Sequence, residues 1–319
     1  MRKAKDWEQP CPNPACSHYT RMHRENVKAI ATYQTQSGRR RIFVCKACGE
    51  QFSETRDTVF YDLRTPDEKG ILVLKLLLCK VELTSVSFAL GVTEETVFAW
   101  LRRAAEHSAA INQHLLRAVK VTEVQLDELW SFIARQQATQ AAVDGESTDA
   151  SADGRQWVWV SFAPEGRLLL AADVGPRTFQ SALRLIQLTA AVVYGVPCFF
   201  SDGFSSYLPA LVAVYYHIRE FARTSKRGRP RKPVIEPHPD LVYAQVVKHK
   251  QQGRLKALTQ RVCCGTARLT DLGLKISTSL IERVNLTLRQ SLAPLTRKGL
   301  GCCKDREQLR RRVVFFQAF

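Results

Sequence analysis

The sequence predicts an α/β protein, a mixed sheet with flanking helices, preceded by a cysteine-bearing module and a helical one. Three observations predict it. Beyond residue 121, short alternating or continuous apolar runs take turns with stretches whose apolar residues recur at three and four. Residues 69 to 107 show the helical period alone, and the first 50 residues hold two close cysteine pairs.

At 319 residues and 45% hydrophobic content, the chain can fill one large core and one or two small ones. It carries 47 Lys and Arg against 30 Asp and Glu, a net charge of +17. Such a balance is the electrostatic footprint of a phosphate-backbone binder, and it predicts a nucleic-acid partner, although a membrane surface would attract it too. No run of 18 or more apolar residues occurs, and the N-terminal MRKAKDWEQPCP has no apolar signal core. Neither insertion nor secretion is expected; the expected location is intracellular, in the cytoplasm.

The first cysteine pair is Cys11 and Cys16 in CPNPAC, the second Cys45 and Cys48 in CKAC. Four thiolates at this spacing can hold Zn²⁺ tetrahedrally, and Pro12, Pro14 and Gly49 supply turn chemistry. A zinc ribbon over residues 1–62 is the expectation. Buried free thiols are the alternative, and His18 or His23 could replace one cysteine. Of the other six cysteines, Cys79 and Cys198 sit in apolar runs as small core residues, and adjacent pairs such as Cys263-Cys264 chelate one ion poorly.

In the helical stretch, Gly91 marks a turn between two helices and Thr93 is placed as an N-cap. This is the layout of a helix-turn-helix, assigned to residues 63–118. Its second helix, roughly Glu94 to Ala105, would bury Val97, Trp100 and Leu101 and turn Glu95, Phe98 and Arg102 outward, Arg102 towards DNA. Plain helical bundles share the spacing; the cysteine module and the net charge favour DNA.

From residue 121, VTEVQLDELWSFIAR, QWVWVSFAP and GRLLLAADVG read as a three-stranded meander, the last two joined at Pro164-Glu165-Gly166. The polar segment 136–155 reads as a long hairpin loop. RTFQSALRLIQLTAAVV is then a helix, VPCFFSD a buried strand, SYLPALVAV a helix and YYHIREF a further strand of the sheet. Three acids occupy distinctive places in this series. Asp127 and Asp202 end apolar strand runs, and Glu282 lies where Ile281, Val284, Leu288 and Leu292 recur at helical spacing. The element order, with acids on the first strand, the fourth strand and a late helix, is that of a ribonuclease H-like domain over residues 119–319.

Carboxylates in that arrangement suit metal-dependent phosphoryl transfer. Two Mg²⁺ ions about 4 Å apart can activate a nucleophile and stabilise a leaving oxygen together. Mg²⁺ prefers carboxylate and water oxygens and needs only one or two protein carboxylates beside the substrate's phosphates. Glu128 adjoins Asp127, but strand alternation sends it to the opposite face; Asp173, in an Asp-Val-Gly setting, suits a strand-to-helix connection. Both rank below the three acids. Asn285 and Arg289 lie three and seven residues after Glu282 on roughly its helix face, to contact a phosphate or orient the acids, or else as a polar flank of a packed helix.

A basic insertion is expected at about 222–275. Its KRGRPRKP segment has the Gly-Arg-Pro core of an AT-hook, with Lys226, Arg227, Arg229, Arg231 and Lys232 available to the minor groove or to DNA phosphates. A flexible basic loop is the plainer reading. Residues 241–270 contain six Lys or Arg and no acid, extending the basic surface.

Taken together, LDELWSF, QWVWVSF, VGPRTFQSALRL, FFSDGFSSY and IERVNLTLRQSLAPLTRK resemble the transposases of the insertion-sequence-one family and its relatives, over most of the chain. The resemblance implies a DDE transposase, a Mg²⁺- or Mn²⁺-dependent polynucleotidyl transferase whose metal-binding triad is Asp127, Asp202 and Glu282. It also implies double-stranded DNA partners, namely insertion-sequence ends and target, at least a dimer on DNA, nucleoid association, and DNA contacts from Arg297 and Lys298. The chain departs from the family's usual segment after that Arg-Lys pair, reading Gly301-Cys302-Cys303-Lys304. Two rival functions remain: a DNA-binding regulator derived from a transposase, and a ribonuclease H-like nuclease that cuts without joining.

Overall fold

The computed structural model describes residues 9–21, 25–133, 155–221, 231–252, 254–296 and 303–319, Lys250 and Leu255 by backbone alone. The chain divides into two compact units, Met1–Leu77 with Leu83–His107, and Leu78–Glu82 with Ser108–Phe319.

The first unit opens with an antiparallel sheet in the order β1 (Val27–Thr35), β2 (Gly38–Cys45), β3 (Gln51–Ser53). Phe43 and Phe52 sit opposite each other in register, both buried, with ring centroids 5.8 Å apart. Arg40 on β2 forks onto Asp67 in the first turn of α1 (Asp67–Leu78), at 2.6 and 2.5 Å. The bidentate geometry fixes the start of the helix against the sheet, and Asp67 suits the positive end of the helix dipole.

Two further helices follow, α2 (Leu83–Leu90) and α3 (Glu94–Leu115). Gly91 has φ +58°, the left-handed conformation that ends a helix, and Thr93 Oγ1 accepts from the Thr96 N–H at 3.3 Å. Val97, Trp100 and Leu101 are buried while Glu95 and Arg102 are exposed. The helix continues to Leu115, ten residues past the Ala105 expected, because AAEHSAAINQHL contains no breaker.

The second unit is built on a six-stranded mixed sheet in the order β11-β10-β7-β4-β5-β6. Its members are β4 (Glu123–Phe132), β5 (Arg155–Ala163), β6 (Leu168–Gly175), β7 (Cys198–Ser201), β10 (Val242–Gln251) and β11 (Arg254–Cys264). The first three form the expected antiparallel meander, β7 runs parallel to both β4 and β10, and β11 returns antiparallel. Alternation along β5 sends Trp159 into one core and Val158 and Val160 into another. The first core is closed by α4 (Phe179–Val192) and α5 (Tyr207–Val214), the second by α7 (Ser279–Ser291) and α8 (Arg306–Gln317). A third cluster joins Cys198, Phe200, Val242 and Ala244 to Leu269 of α6 (Thr266–Leu272). Gly265, before α6, has φ +75°, and a Cβ there would meet the Leu241 carbonyl oxygen at 2.5 Å.

One expected strand is placed otherwise. Tyr216–Arg219 is a strand, β8, but it pairs with β9 (Val234–Pro237) in a separate two-stranded sheet. The place beside β7 belongs to β10, from within the stretch read as a basic insertion. A central parallel strand is covered on both faces and needs a continuous apolar run. Val242, Tyr243 and Ala244 meet that demand, being fully buried, whereas Tyr216 and Ile218 are about half exposed. Among the described residues no helix is long and apolar enough to cross a membrane.

Candidate functional site

The parallel ladder between β4 and β7 ends at the pair Leu126 and Ser201. Asp127 and Asp202 are each the next residue, so two carboxylates 75 positions apart in sequence stand level, Asp202 just past the carboxyl end of β7 and Asp127 midway along the neighbouring β4. This is the end at which open α/β sheets bind ligands. Helix α7 is fastened over them. Gln125, two residues before Asp127 and on the same strand face, accepts from the Ile281 N–H at 2.9 Å, which satisfies a first-turn donor of the helix. That bond fixes the register of Glu282 and Asn285. Asn285 Nδ2 then donates to Asp127 Oδ2 at 2.6 Å, and the Glu128 N–H to Asp127 Oδ1 at 2.8 Å. Asp202 Oδ1 accepts from the Phe204 N–H at 3.1 Å, holding the turn after β7.

Oxygens of Asp127, Glu128 and Asp202 lie within 4.8 Å of one another and could hold a metal ion. Glu128 does turn to the other face, where Tyr207 of α5 and Arg177 bind it. Its carboxylate still reaches the pair, because β7 has ended at this level and no strand separates the faces. All three line a cleft of about 1020 Å³, together with Glu282, Asn285, Arg177, Lys248 and Arg289. Glu282 stands apart from the close group, with Lys248 Nζ and Thr278 Oγ1 both donating to its Oε1.

Charge crowding shows in the proton affinities. Burial pushes Asp127 up to about 7; the Glu128 N–H pulls it back, and the charges of Glu128, Asp202 and Glu282 add to the rise. Glu128 is raised by burial and by Asp202, against the pull of Arg177 and Tyr207. Carboxylates held at such cost are matched by a hard cation, which repays their mutual repulsion and takes oxygen ligands.

In the first unit, Cys11, Cys16, Cys45 and Cys48 bring their sulfurs within 4.8 Å of one another and could hold a metal ion. Cys11 and Cys48 lie 3.6 Å apart, Cys16 and Cys45 3.8 Å. The His18 N–H donates to Cys16 Sγ at 3.4 Å and Asn26 Nδ2 to Cys45 Sγ at 3.5 Å. Burial alone would raise Cys45, but Asn26 and the N–H groups of Cys48 and Ala47 bring it down to about 6. Burial pushes Cys11 up to about 12. N–H groups aimed at sulfur are what thiolate ligands require, so the donor set fits a thiophilic ion. His18 contributes its backbone here, and His23 lies outside the described residues.

The remaining sequence candidates are scattered. Arg289 lines the acidic cleft and donates to the Leu295 carbonyl at 3.2 Å. Arg102 is exposed on α3, and Arg231 and Lys232 are exposed ahead of β9, Arg231 with its guanidinium 5.5 Å from the Phe221 ring centroid. Lys226, Arg227, Arg229, Arg297 and Lys298 lie outside the described residues, as does most of the 136–155 segment. Asp173 is buried in ion pairs with Arg184 at 3.0 Å and Arg310 at 3.5 Å, which gives it a structural partner set. Sequence reasoning missed Gln125, Arg177, Tyr207 and Lys248. Only Gln125 carried a signal, as a polar residue on the Asp127 face of an otherwise apolar strand. Neither a protein-family model nor a curated protein matches this sequence.

Proposed function

We propose that the protein is a DNA transposase of the DDE type, which binds insertion-sequence ends and cuts and joins DNA at a divalent-metal centre. The observation that carries the reading is the level placement of Asp127 and Asp202 on adjacent parallel strands, with Glu282 entering the same cleft from α7. The strand order supports a ribonuclease H-like sheet: counted from β4 as first strand, the order 3-2-1-4-5 runs across β6, β5, β4, β7 and β10. The cysteine cluster beside a short sheet supports a zinc ribbon, and α2, the Gly91 turn and α3 support a helix-turn-helix.

In this reading Asp127, Asp202 and Glu282 would hold Mg²⁺ or Mn²⁺, which would supply activation of an attacking hydroxyl and stabilisation of the leaving oxygen. Asn285 keeps the Asp127 carboxylate turned inward, and Gln125 keeps α7 in register. Lys248 donates to Glu282 and offsets its charge. Water attack on the phosphodiester at the element end breaks its P–O3′ bond, giving a 3′-hydroxyl and a 5′-phosphate; that hydroxyl then attacks a target phosphodiester and displaces the target strand's 3′-oxygen, without a covalent protein intermediate. Joining needs two ends held together, hence at least a dimer on DNA.

The test is Mg²⁺-dependent cleavage and joining of labelled DNA carrying the flanking element ends, with wild type and Asp202→Ala. Joined products lost only in the variant support the proposal. Cleavage without joining would identify a nuclease, and tight binding with no product would identify a regulator.

A further inference from the structure

The acidic cleft contains a side-chain unit outside the triad. Arg177, between β6 and α4, donates from Nε and Nη2 to Glu128 Oε1 at 2.8 and 2.5 Å. Its guanidinium lies 5.0 Å from the Trp157 ring centroid and 4.4 Å from that of Phe204. Tyr207 donates to the other Glu128 oxygen at 2.8 Å. Both oxygens of this buried carboxylate are therefore engaged by the protein. Arg177 is not spent in the same way: its side chain is 40% exposed, it lines the cleft, and its Nη1 makes no hydrogen bond among the described residues.

Four carboxylates line this cleft, and a polyanion entering it needs an offsetting cation. Lys248 is held on Glu282 and Arg289 on the Leu295 carbonyl. Arg177 has its counter-charge beneath it and two aromatic contacts, so little rotamer freedom remains to be lost on binding. A planar guanidinium prearranged in this way matches phosphate oxygens.

We propose that Arg177 forms a phosphate-binding subsite that grips the backbone of the DNA strand in the cleft, and that Glu128 is a positioning residue serving Arg177. This rests on the DNA-transferase reading above and names a contact within it. In contrast to Asp127, Glu128 acts through its neighbour.

The experiment measures affinity of the full chain for duplex DNA carrying the element end across a salt series, with Ca²⁺, which carboxylates also bind. Arg177→Met alone strands a buried charge, so it is paired with Glu128→Gln, and thermal melting checks the fold. Losing one phosphate contact lowers the slope of log affinity against log salt by about 1, and that drop is expected in the double variant. Glu128→Gln alone should keep the wild-type slope and lose only about 10- to 100-fold in Mg²⁺-dependent cleavage, the scale of a supporting residue. An unchanged slope in a folded double variant overturns the subsite. Inactivity of Glu128→Gln equal to that of Asp127→Ala overturns the positioning role. A wild type that binds DNA with no salt dependence sinks the transferase reading as well, which separates the two failures.

Discussion

The thiol cluster of the first unit and the carboxylate cluster of the second are both sets of anionic ligands, yet they are built in opposite ways. The thiols come from two tight turns 29 residues apart at their nearest, Cys16 to Cys45, and three of the four are buried. Backbone and amide N–H groups serve the sulfurs, which converge closely enough to hold one metal ion. The carboxylates come from two strands, and they open onto a cleft of about 1020 Å³. Their neighbours are cations and an amide, Arg177 on Glu128 and Asn285 on Asp127. A closed donor set is what a structural ion needs, and an open one is what chemistry needs. The contrast teaches that burial of the ligands, more than their number, separates a cluster suited to fastening from one suited to chemistry.

The contrast breaks most visibly if the thiols are removed. A structural metal contributes on the order of 10 kcal/mol to small folds of this kind, so Cys45→Ala is expected to unfold the first unit with loss of bound zinc. Metal content and hydrogen exchange would report it, and protection retained over residues 27–53 would contradict a fastening role. Asp202→Ala should leave zinc content and end binding intact while strand transfer falls roughly 10⁴-fold, the scale of losing one member of a catalytic unit. Single-turnover joining measures this.

Proton linkage gives a third, smaller effect. Asp127 is raised from 3.8 to about 7 in the fold, so the metal-free native state keeps a proton that the unfolded chain has released. The stability this group contributes is fully present below its unfolded pKa near 4 and is lost as pH rises through about 7. At about 1.4 kcal/mol per pKa unit, Asp127→Asn should be more stable than wild type by roughly 2–4 kcal/mol at pH 8 in EDTA. That gap should close at acid pH. Urea midpoints at both pH values test it, and a gap of equal size at both would remove burial of this carboxyl as the cause. Smallest is Asn285→Ala, which frees one Asp127 oxygen and should weaken Mg²⁺ activation about 10- to 100-fold. A metal titration of activity reads it.

Much of this was legible in the sequence, for identifiable reasons. The cysteine pairs are local, so their spacing alone names the cluster. Asp127, Asp202 and Glu282 stand out because each interrupts or follows an apolar period, and periodicity survives without knowledge of the partner. For Glu128, alternation gives the face correctly but says nothing of the neighbouring strand β7, whose pairing stops at the level of Leu126 and so leaves the Glu128 carboxylate within reach of Asp127 and Asp202. Arg177 and Lys248 carry no local signal, since their roles arise only when the β6–α4 connection meets β4 and when β10 meets α7. The sequence points to YYHIREF as a further strand of the sheet, whereas the structure gives that place to β10, inside the basic stretch 241–270. The buried stretch at its start, Leu241 to Val246, is apolar except for Gln245, and the charges begin where β10 leaves the core.

The outer strand β11 carries a last consequence. Among the described residues it forms one edge of the main sheet, so one row of its peptide groups has no strand partner there, a template for unwanted association. Arg254, Lys256 and Arg261 lie along it, and two copies meeting edge to edge would bring like charges together. Solubility is thus tied to ionic conditions: polyanions or high salt that screen these side chains remove the protection, and concentrated protein should then self-associate through this edge.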